Sequence, residues 1–348
     1  MSIAAVAGTG APPRFRILSI DGGGIKGAYA AGFLDGVEQR VGAPIHRFFD
    51  LIAGTSTGGI IAVMLALGFP ASKVVEMYRQ HGERIFQRRK RRRISVPLQW
   101  LPNRVLNKAG LDWDALQRSK YDSVALREAA SSVLQEATLD SAKTRLIVPS
   151  IRTSLGRVMV FRTPHFPNQV RDRHLTGVDV ILATTAAPTY FPPHWIDNEA
   201  APGQYVDGGL WANNPAMLAY AEAVRIGRDC SPGFRPEDLM ILSLGTGDTP
   251  MSQMIEASKS GVFGWAPHLI SVMMASQSQG THRMLRYLLG EKKYHRISFV
   301  HCKQGWELDA VEKLELLVAN GRAEARNLVD RIPSGFFDGP APPFEAFP

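Results

Sequence analysis

The sequence predicts an α/β fold in which parallel strands are covered by helices. Two stretches carry the prediction. Residues 16–20 form an apolar run that stops at Asp21-Gly22-Gly23-Gly24, and a helical pattern follows over about 27–40. Residues 48–53 form a second run, closed by the tight turn 54–58 and followed by an apolar helix over 59–67. A third observation agrees: 205–207 and 239–244 are short strand-like runs, each ending in a Gly turn, with a helical pattern over 216–225 between them. Strand, glycine turn and helix in repeated order make crossover units, and crossovers lay successive strands parallel.

The remaining elements follow the same rhythm, with one interruption. Residues 1–13 are small, rich in Gly and Pro, and read as a flexible N-terminus. Residues 72–86 read as a helix. Residues 87–121 combine a basic run with several Pro and Trp residues and little periodicity, and are read as a cap or insertion within a main domain of 14–250. Regular structure resumes with a helix at 123–135, strands at 145–149 and 158–162, and a helix at 178–186. Residues 251–333 are mainly helical, at 266–289 and 307–331, with a strand at 294–300, and are expected to pack on the same domain. The Pro-rich residues 334–348 read as a tail.

Bulk composition limits the functional classes. The 348 residues carry 40 Lys and Arg against 32 Asp and Glu, a formal charge of +8. That favours anionic partners without choosing among lipids, nucleic acid and nucleotides. The two cysteines, Cys230 and Cys302, give neither a disulfide framework nor a Cys-rich metal cluster. The first residues lack the basic start and apolar core of a secretory leader. The longest apolar run, 60–67, falls far short of the roughly 20 residues of a spanning helix. The expectation is a cytoplasmic protein that meets membranes from their surface.

The strongest chemical signal is Gly54-Thr55-Ser56-Thr57-Gly58, a G-x-S-x-G between an apolar strand and an apolar helix. A serine on such a turn has its hydroxyl thrust above the sheet. Flanking side chains would collide, hence Gly54 and Gly58. The helix that follows points its positive end at the reacting centre.

The second signal is Asp21-Gly22-Gly23-Gly24-Ile25-Lys26-Gly27, also directly after a strand. Gly22, Gly24 and Gly27 satisfy G-x-G-x-x-G, so a dinucleotide fingerprint must be weighed, with Asp50 as its acidic partner. The stronger reading is an oxyanion hole, because bare backbone amides converging on one oxygen are what a serine nucleophile requires. A hydroxyl also needs a base. Asp207-Gly208-Gly209 follows a short strand and precedes a helical stretch, so its carboxylate is expected at the same sheet edge as Ser56. A Ser-Asp-His order would call on His268, His282, His295 or His301, and none sits in a distinguishing loop. His165, His174 and His194 read as structural or surface residues.

With these residues in place, the chain resembles the patatin-like phospholipases. DGGGIKG at 21–27 resembles that family's oxyanion block, GTSTGG at 54–59 its nucleophile block, and ATTAAPTYFPP at 183–193 its Ala/Pro block. DGG at 207–209 resembles the block that supplies the aspartate, and LSLGTG at 242–247 a further segment. The resemblance covers about 15–250. It implies a three-layer α/β sandwich with a mostly parallel central sheet and helices on both faces. It also implies a Ser56–Asp207 dyad without histidine, an oxyanion hole at Gly22, Gly23, Gly24 and Thr57, hydrolysis of phospholipid acyl esters, and no metal or cofactor for catalysis. Asp21 is expected to shape the loop. Lys26 is assigned either to an anionic headgroup or to solvent.

Two signals bear on partners. Arg88, Arg89, Lys90, Arg91, Arg92 and Arg93 form six consecutive positive charges, followed by an apolar stretch with Trp100. Near an anionic bilayer each charge is worth roughly 1 kcal/mol, so 86–101 is a candidate membrane-docking element. No recognition fold for nucleic acid accompanies it. The wording DGGGIKGAYAAGFL and the overall length further resemble bacterial patatin-like effectors of antiphage signalling, which implies a cyclic dinucleotide (cGAMP-like) activator. A constitutive lipid esterase stands as the alternative. The resemblance leaves the oligomeric state open, a homo-oligomer included.

Overall fold

In the computed structural model the described residues are 14–87, 119–168, 171–230, 235–247, 269–299, 308–328, 332–333 and 335–347. The basic run Arg88–Arg93, Trp100, Cys302, His268 and His301 lie outside them.

The strands are β1 (Phe15–Ile20), β2 (Leu51–Gly54), β3 (Arg145–Arg152), β4 (Arg157–Arg162), β5 (His194–Ile196), β6 (Gly203–Asp207), β7 (Leu239–Leu244) and β8 (Tyr294–Ile297). They form one sheet in the order β5-β6-β3-β2-β1-β7-β8, with β4 also paired to β3. β1 is parallel to β2 and β7, β2 to β3, and β7 to β8. β4 and β6 run antiparallel to β3, and β5 antiparallel to β6. The sheet is therefore mixed but mostly parallel.

The helices are α1 (Gly27–Val41), α2 (Thr57–Ala66), α3 (Ala71–Ile85), α4 (Val124–Leu134), α5 (Gly177–Thr185), α6 (Gly209–Ala212), α7 (Ala216–Asp229), α8 (Leu269–Leu289) and α9 (Leu314–Leu328). Successive strand side chains point to opposite faces, and here each face meets helices. Leu18, Ile20, Ile52, Leu146 and Leu242 join one core with Phe33, Ile61, Val63, Ile181 and Leu317. Ile17, Leu51, Ala53, Ile147 and Ile241 join a second core with Ala219, Ala223, Ile226 and Leu285. Two cores separated by one sheet make a three-layer α/β sandwich, as expected. α2 is buried along its whole length, which explains why it is apolar on every side.

The departures from the sequence reading are local. The stretch read as a strand over 48–53 begins pairing only at Leu51, because Ile45–Arg47 is a 3-10 turn. β5 has no counterpart in the sequence reading. Its three residues show no period long enough to recognise. Among the described residues no helix is long and apolar enough to cross a membrane.

Candidate active site

Register places the motifs side by side. β1 is central: Ile20 stands beside Gly54 of β2 on one flank and Leu244 of β7 on the other. The Gly-rich loop after β1, the Ser56 turn after β2 and Thr246 after β7 therefore emerge at one sheet edge. Asp207 ends β6 opposite Ser150, three residues beyond the Ile147–Ala53 pairing, and so reaches that same edge although β6 is antiparallel.

Ser56 sits between β2 and α2 with φ 54° and ψ −122°. A side-chain-bearing residue with positive φ is strained, and the surroundings must hold it. Its N–H donates to Thr184 Oγ1 at 3.0 Å, and Thr184 in turn donates to the Pro149 carbonyl at 2.7 Å. Thr55 Oγ1 donates to the Ala212 carbonyl at 2.6 Å, which ties the turn to α6. Gly54 and Gly58 permit the tight return: a Cβ on Gly58 would press on the Ile20 carbonyl and lie 2.6 Å from the Asp21 carbonyl. Thr57 is the first residue of α2, and its hydroxyl bonds the buried Tyr78 hydroxyl.

Asp207 is buried. Its N–H donates to the Ala186 carbonyl at 3.0 Å, and its Oδ1 accepts from the Gly209 N–H at 2.6 Å. Oδ2 is buried with no hydrogen-bond partner among the described residues. The carboxyl pKa is pushed up to about 6; burial is the largest cause, opposed by the Ser56 hydroxyl and the Gly209 N–H. The Ser56 hydroxyl thus stands close enough to bias the carboxyl. Gly208 packs against the Pro149 carbonyl, and Gly209 begins α6.

The Gly-rich loop departs from expectation at one residue. The Gly22 N–H donates to the Asn213 carbonyl at 3.0 Å, so Gly22 has no free donor and drops out of the oxyanion set. The N–H groups of Gly23 and Gly24, and that of Thr57 at the helix start, have no acceptor among the described residues. Gly24 adopts φ +59°, and a Cβ there would meet the Leu308 backbone. Gly27 opens α1 against Thr57.

Ser56, Thr57, Gly24 and Asp207 line one cleft. Its other walls are apolar, among them Ile60, Ile85, Phe86, Leu126, Phe191 and Met274. Among the described residues no histidine lines it. His165 is bonded to Glu222, His194 to Asp179 and His282 to the Tyr294 hydroxyl, each away from the cleft. Asp50 accepts from the Arg16 N–H at 2.8 Å, at the amino end of the strands, so it cannot serve the Gly loop at the carboxyl end. The dinucleotide reading fails on that geometry.

Sequence reasoning passed over three residues. Arg296 on β8 pairs with Asp21 at 2.7 Å, and Ser278 on α8 donates to Asp21 at 2.7 Å. Together they anchor the start of the Gly loop. Thr184 holds the Ser56 amide. Only a basic residue in a predicted strand (Arg296) and a threonine within the Ala/Pro block hinted at these roles.

Comparison with known proteins gives the chain a family. The model of the patatin-like phospholipase family matches residues 18–220. A cGAMP-activated phospholipase of Pseudomonas aeruginosa is 30% identical over 311 residues, covering 88% of this chain and 85% of the relative. A cGAMP-activated phospholipase of Vibrio cholerae is 34% identical over 286 residues, covering 78% and 77%. Patatin-like protein 2 of Arabidopsis thaliana is 29% identical, covering 91% and 84%. A serine turn, a glycine loop and an aspartate turn meeting at one sheet edge thus coincide with a family match over most of the sheet, and the chain belongs to the patatin-like phospholipases, a family of ester hydrolases.

Proposed function

We propose that this chain hydrolyses acyl esters of membrane phospholipids through a Ser56–Asp207 dyad and an acyl-enzyme, and that a cyclic dinucleotide switches it on. One observation carries the catalytic part: Ser56, held at positive φ, and a buried Asp207 with pKa about 6 line the same apolar cleft.

In this mechanism the acyl chain lies along the apolar walls. Asp207, ionised above about pH 6, takes the Ser56 proton as Oγ attacks the ester carbonyl. The oxyanion that forms is met by the free N–H groups of Gly23, Gly24 and Thr57, at the positive end of α2. Asp207 returns the proton to the departing lysophospholipid oxygen. Water, deprotonated by Asp207, then attacks the acyl-enzyme, and Ser56 leaves with that proton. Each proton taken is given back, so no net charge builds up in a buried site.

Activation rests on different ground. The Pseudomonas and Vibrio relatives carry the name cGAMP-activated phospholipase and align over most of this chain. A constitutive lipid esterase is the competing reading, favoured by the plant relative whose name mentions no nucleotide.

The test uses the full chain with phospholipid vesicles, with and without added cyclic dinucleotides, reading free fatty acid, together with labelling by a fluorophosphonate probe. Ser56→Ala should abolish both labelling and release. Release that persists in Ser56→Ala overturns the dyad; equal release with and without nucleotide overturns only the switch.

A further inference from the structure

α8 has two faces with different fates. Its inner face is fastened to the cleft: Met274 lines it, Ser278 donates to Asp21, and Gln277 accepts from the Asn214 N–H at 2.8 Å. Leu285 is fully buried in the second core. Its outer face carries Leu269, Met273, Met284, Tyr287 and Leu288, all exposed, Tyr287 to 85%. At the helical period these five fall within an arc of about 100°, and the stripe runs for about 28 Å. Ile270, Gln277 and Gly280 fall on the same arc, all half-buried, with Gln277 near its inner edge and turned to Asn214, so the exposed residues form two groups, Leu269 with Met273 and Met284 with Tyr287 and Leu288.

The charges of the helix are arranged just as unevenly. α8 contains no acidic residue. Its formal charges are Arg283 and Arg286, both exposed and both on one flank of the apolar arc, and Lys292 and Lys293 follow. Arg286 pairs with Glu291. His282, Arg283, Arg286, Tyr287 and Glu291 line an open concavity at this end of the helix.

Scattered exposed apolar residues are ordinary on a protein surface; two groups along one helix face, one of them holding Met284, Tyr287 and Leu288 together, are not. A helix that presents such a face to water, with two arginines along one edge, has the pattern of an interfacial helix lying in the headgroup region of a bilayer. The substrate class narrows the occupant: phospholipids are presented as a surface, anionic headgroups complement the arginines, and α8 has one face in the cleft and the other in solvent.

We propose that the outer face of α8 is the surface that docks the protein on an anionic phospholipid bilayer. Met273, Met284, Tyr287 and Leu288 enter the interface while Arg283 and Arg286 meet headgroup phosphates. Docking this helix brings the cleft, one helix thickness away, to the lipid. The proposal rests on phospholipid being the substrate.

The test is sedimentation of the full chain with phosphatidylcholine vesicles, with and without phosphatidylglycerol. A triple variant, Met284→Ser with Tyr287→Ser and Leu288→Ser, should bind both about 100-fold more weakly, since each half-inserted side chain contributes several-fold. Arg283→Gln with Arg286→Gln should lose about 30-fold on phosphatidylglycerol vesicles, at about fivefold per charge, and little on phosphatidylcholine alone. Hydrolysis of a short-chain ester in free solution should be the same for both variants as for the parent. Where the triple variant melts early, the charge variant decides. Docking through α8 is overturned by a parent chain that does not sediment, or by variants that sediment as the parent does. It is also overturned by a parent dimer that the triple variant breaks while vesicle affinity holds, which assigns the stripe to a second copy. Ser56→Ala should sediment normally. Stripe-dependent binding without any fatty-acid release defeats the phospholipase reading and leaves the docking face standing.

Discussion

Replacing Asp207 by Asn should remove hydrolysis and yet make the folded chain more stable at neutral pH. The carboxyl moves from its ordinary 3.8 to about 6 on folding, chiefly because burial disfavours the charge. A difference of about two pH units corresponds to ~3 kcal/mol of destabilisation once the group is ionised. The sign follows from the direction. A raised pKa means that the stability contribution of Asp207 is fully present below pH 3.8, where it is protonated in both states, and is lost as pH rises through about 6. Asn never ionises, so its advantage should approach ~3 kcal/mol near pH 8, be about half of that near pH 5, and vanish below pH 4. The geometry allows the exchange. The Asn carbonyl can keep the bond from the Gly209 N–H, and its amide nitrogen takes the place of Oδ2, which has no hydrogen-bond partner among the described residues. Urea unfolding followed by tryptophan fluorescence at several pH values measures the difference. An Asn variant less stable than the parent near pH 8, or a gain of the same size at every pH, would refute the reasoning.

The same ionisation predicts how rate depends on pH. Hydrolysis of a soluble ester should rise through about pH 6 and stand roughly tenfold below its plateau near pH 5; a profile flat across that range removes Asp207 as the base. Arg296→Met should cost ~3–5 kcal/mol in chemical denaturation, because it removes the cation that pairs with the buried Asp21 carboxylate. It should also lower kcat more than it raises KM, since Asp21 begins the donor loop. A variant as stable and as fast as the parent would show that the pair neither supports the fold nor positions the loop.

Much of the fold was legible because its signals are local. The glycine turns after β1 and β2 sit where chain segments touch, and no side chain could replace hydrogen there, so composition alone marks them. β7 was read at its observed limits, as a continuous apolar run buried on both faces. Elements with weaker periodicity blurred at their ends: β3 extends to Arg152 and α9 begins only at Leu314. β5 escaped notice, since three residues paired only to β6 carry no pattern of their own.

The candidate site divides in the same way. Ser56 and Asp207 were recognisable from their turns, and the family resemblance placed them in one order. The donor set was not, because an amide's freedom depends on what lies opposite it: Gly22 looks like Gly23 in sequence but faces the Asn213 carbonyl. Arg296, Ser278 and Thr184 likewise gain their roles from strands and helices remote in sequence.

By itself the sequence determined the layered α/β class, the two glycine-lined turns and which serine and aspartate are the candidates, because steric demands at tight turns are written in adjacent residues. Only the tertiary structure decided which amides remain free, how deeply Asp207 is buried and which face of α8 meets solvent. Those properties depend on neighbours hundreds of residues away, brought together by strand order, and no local pattern encodes a distance across a sheet.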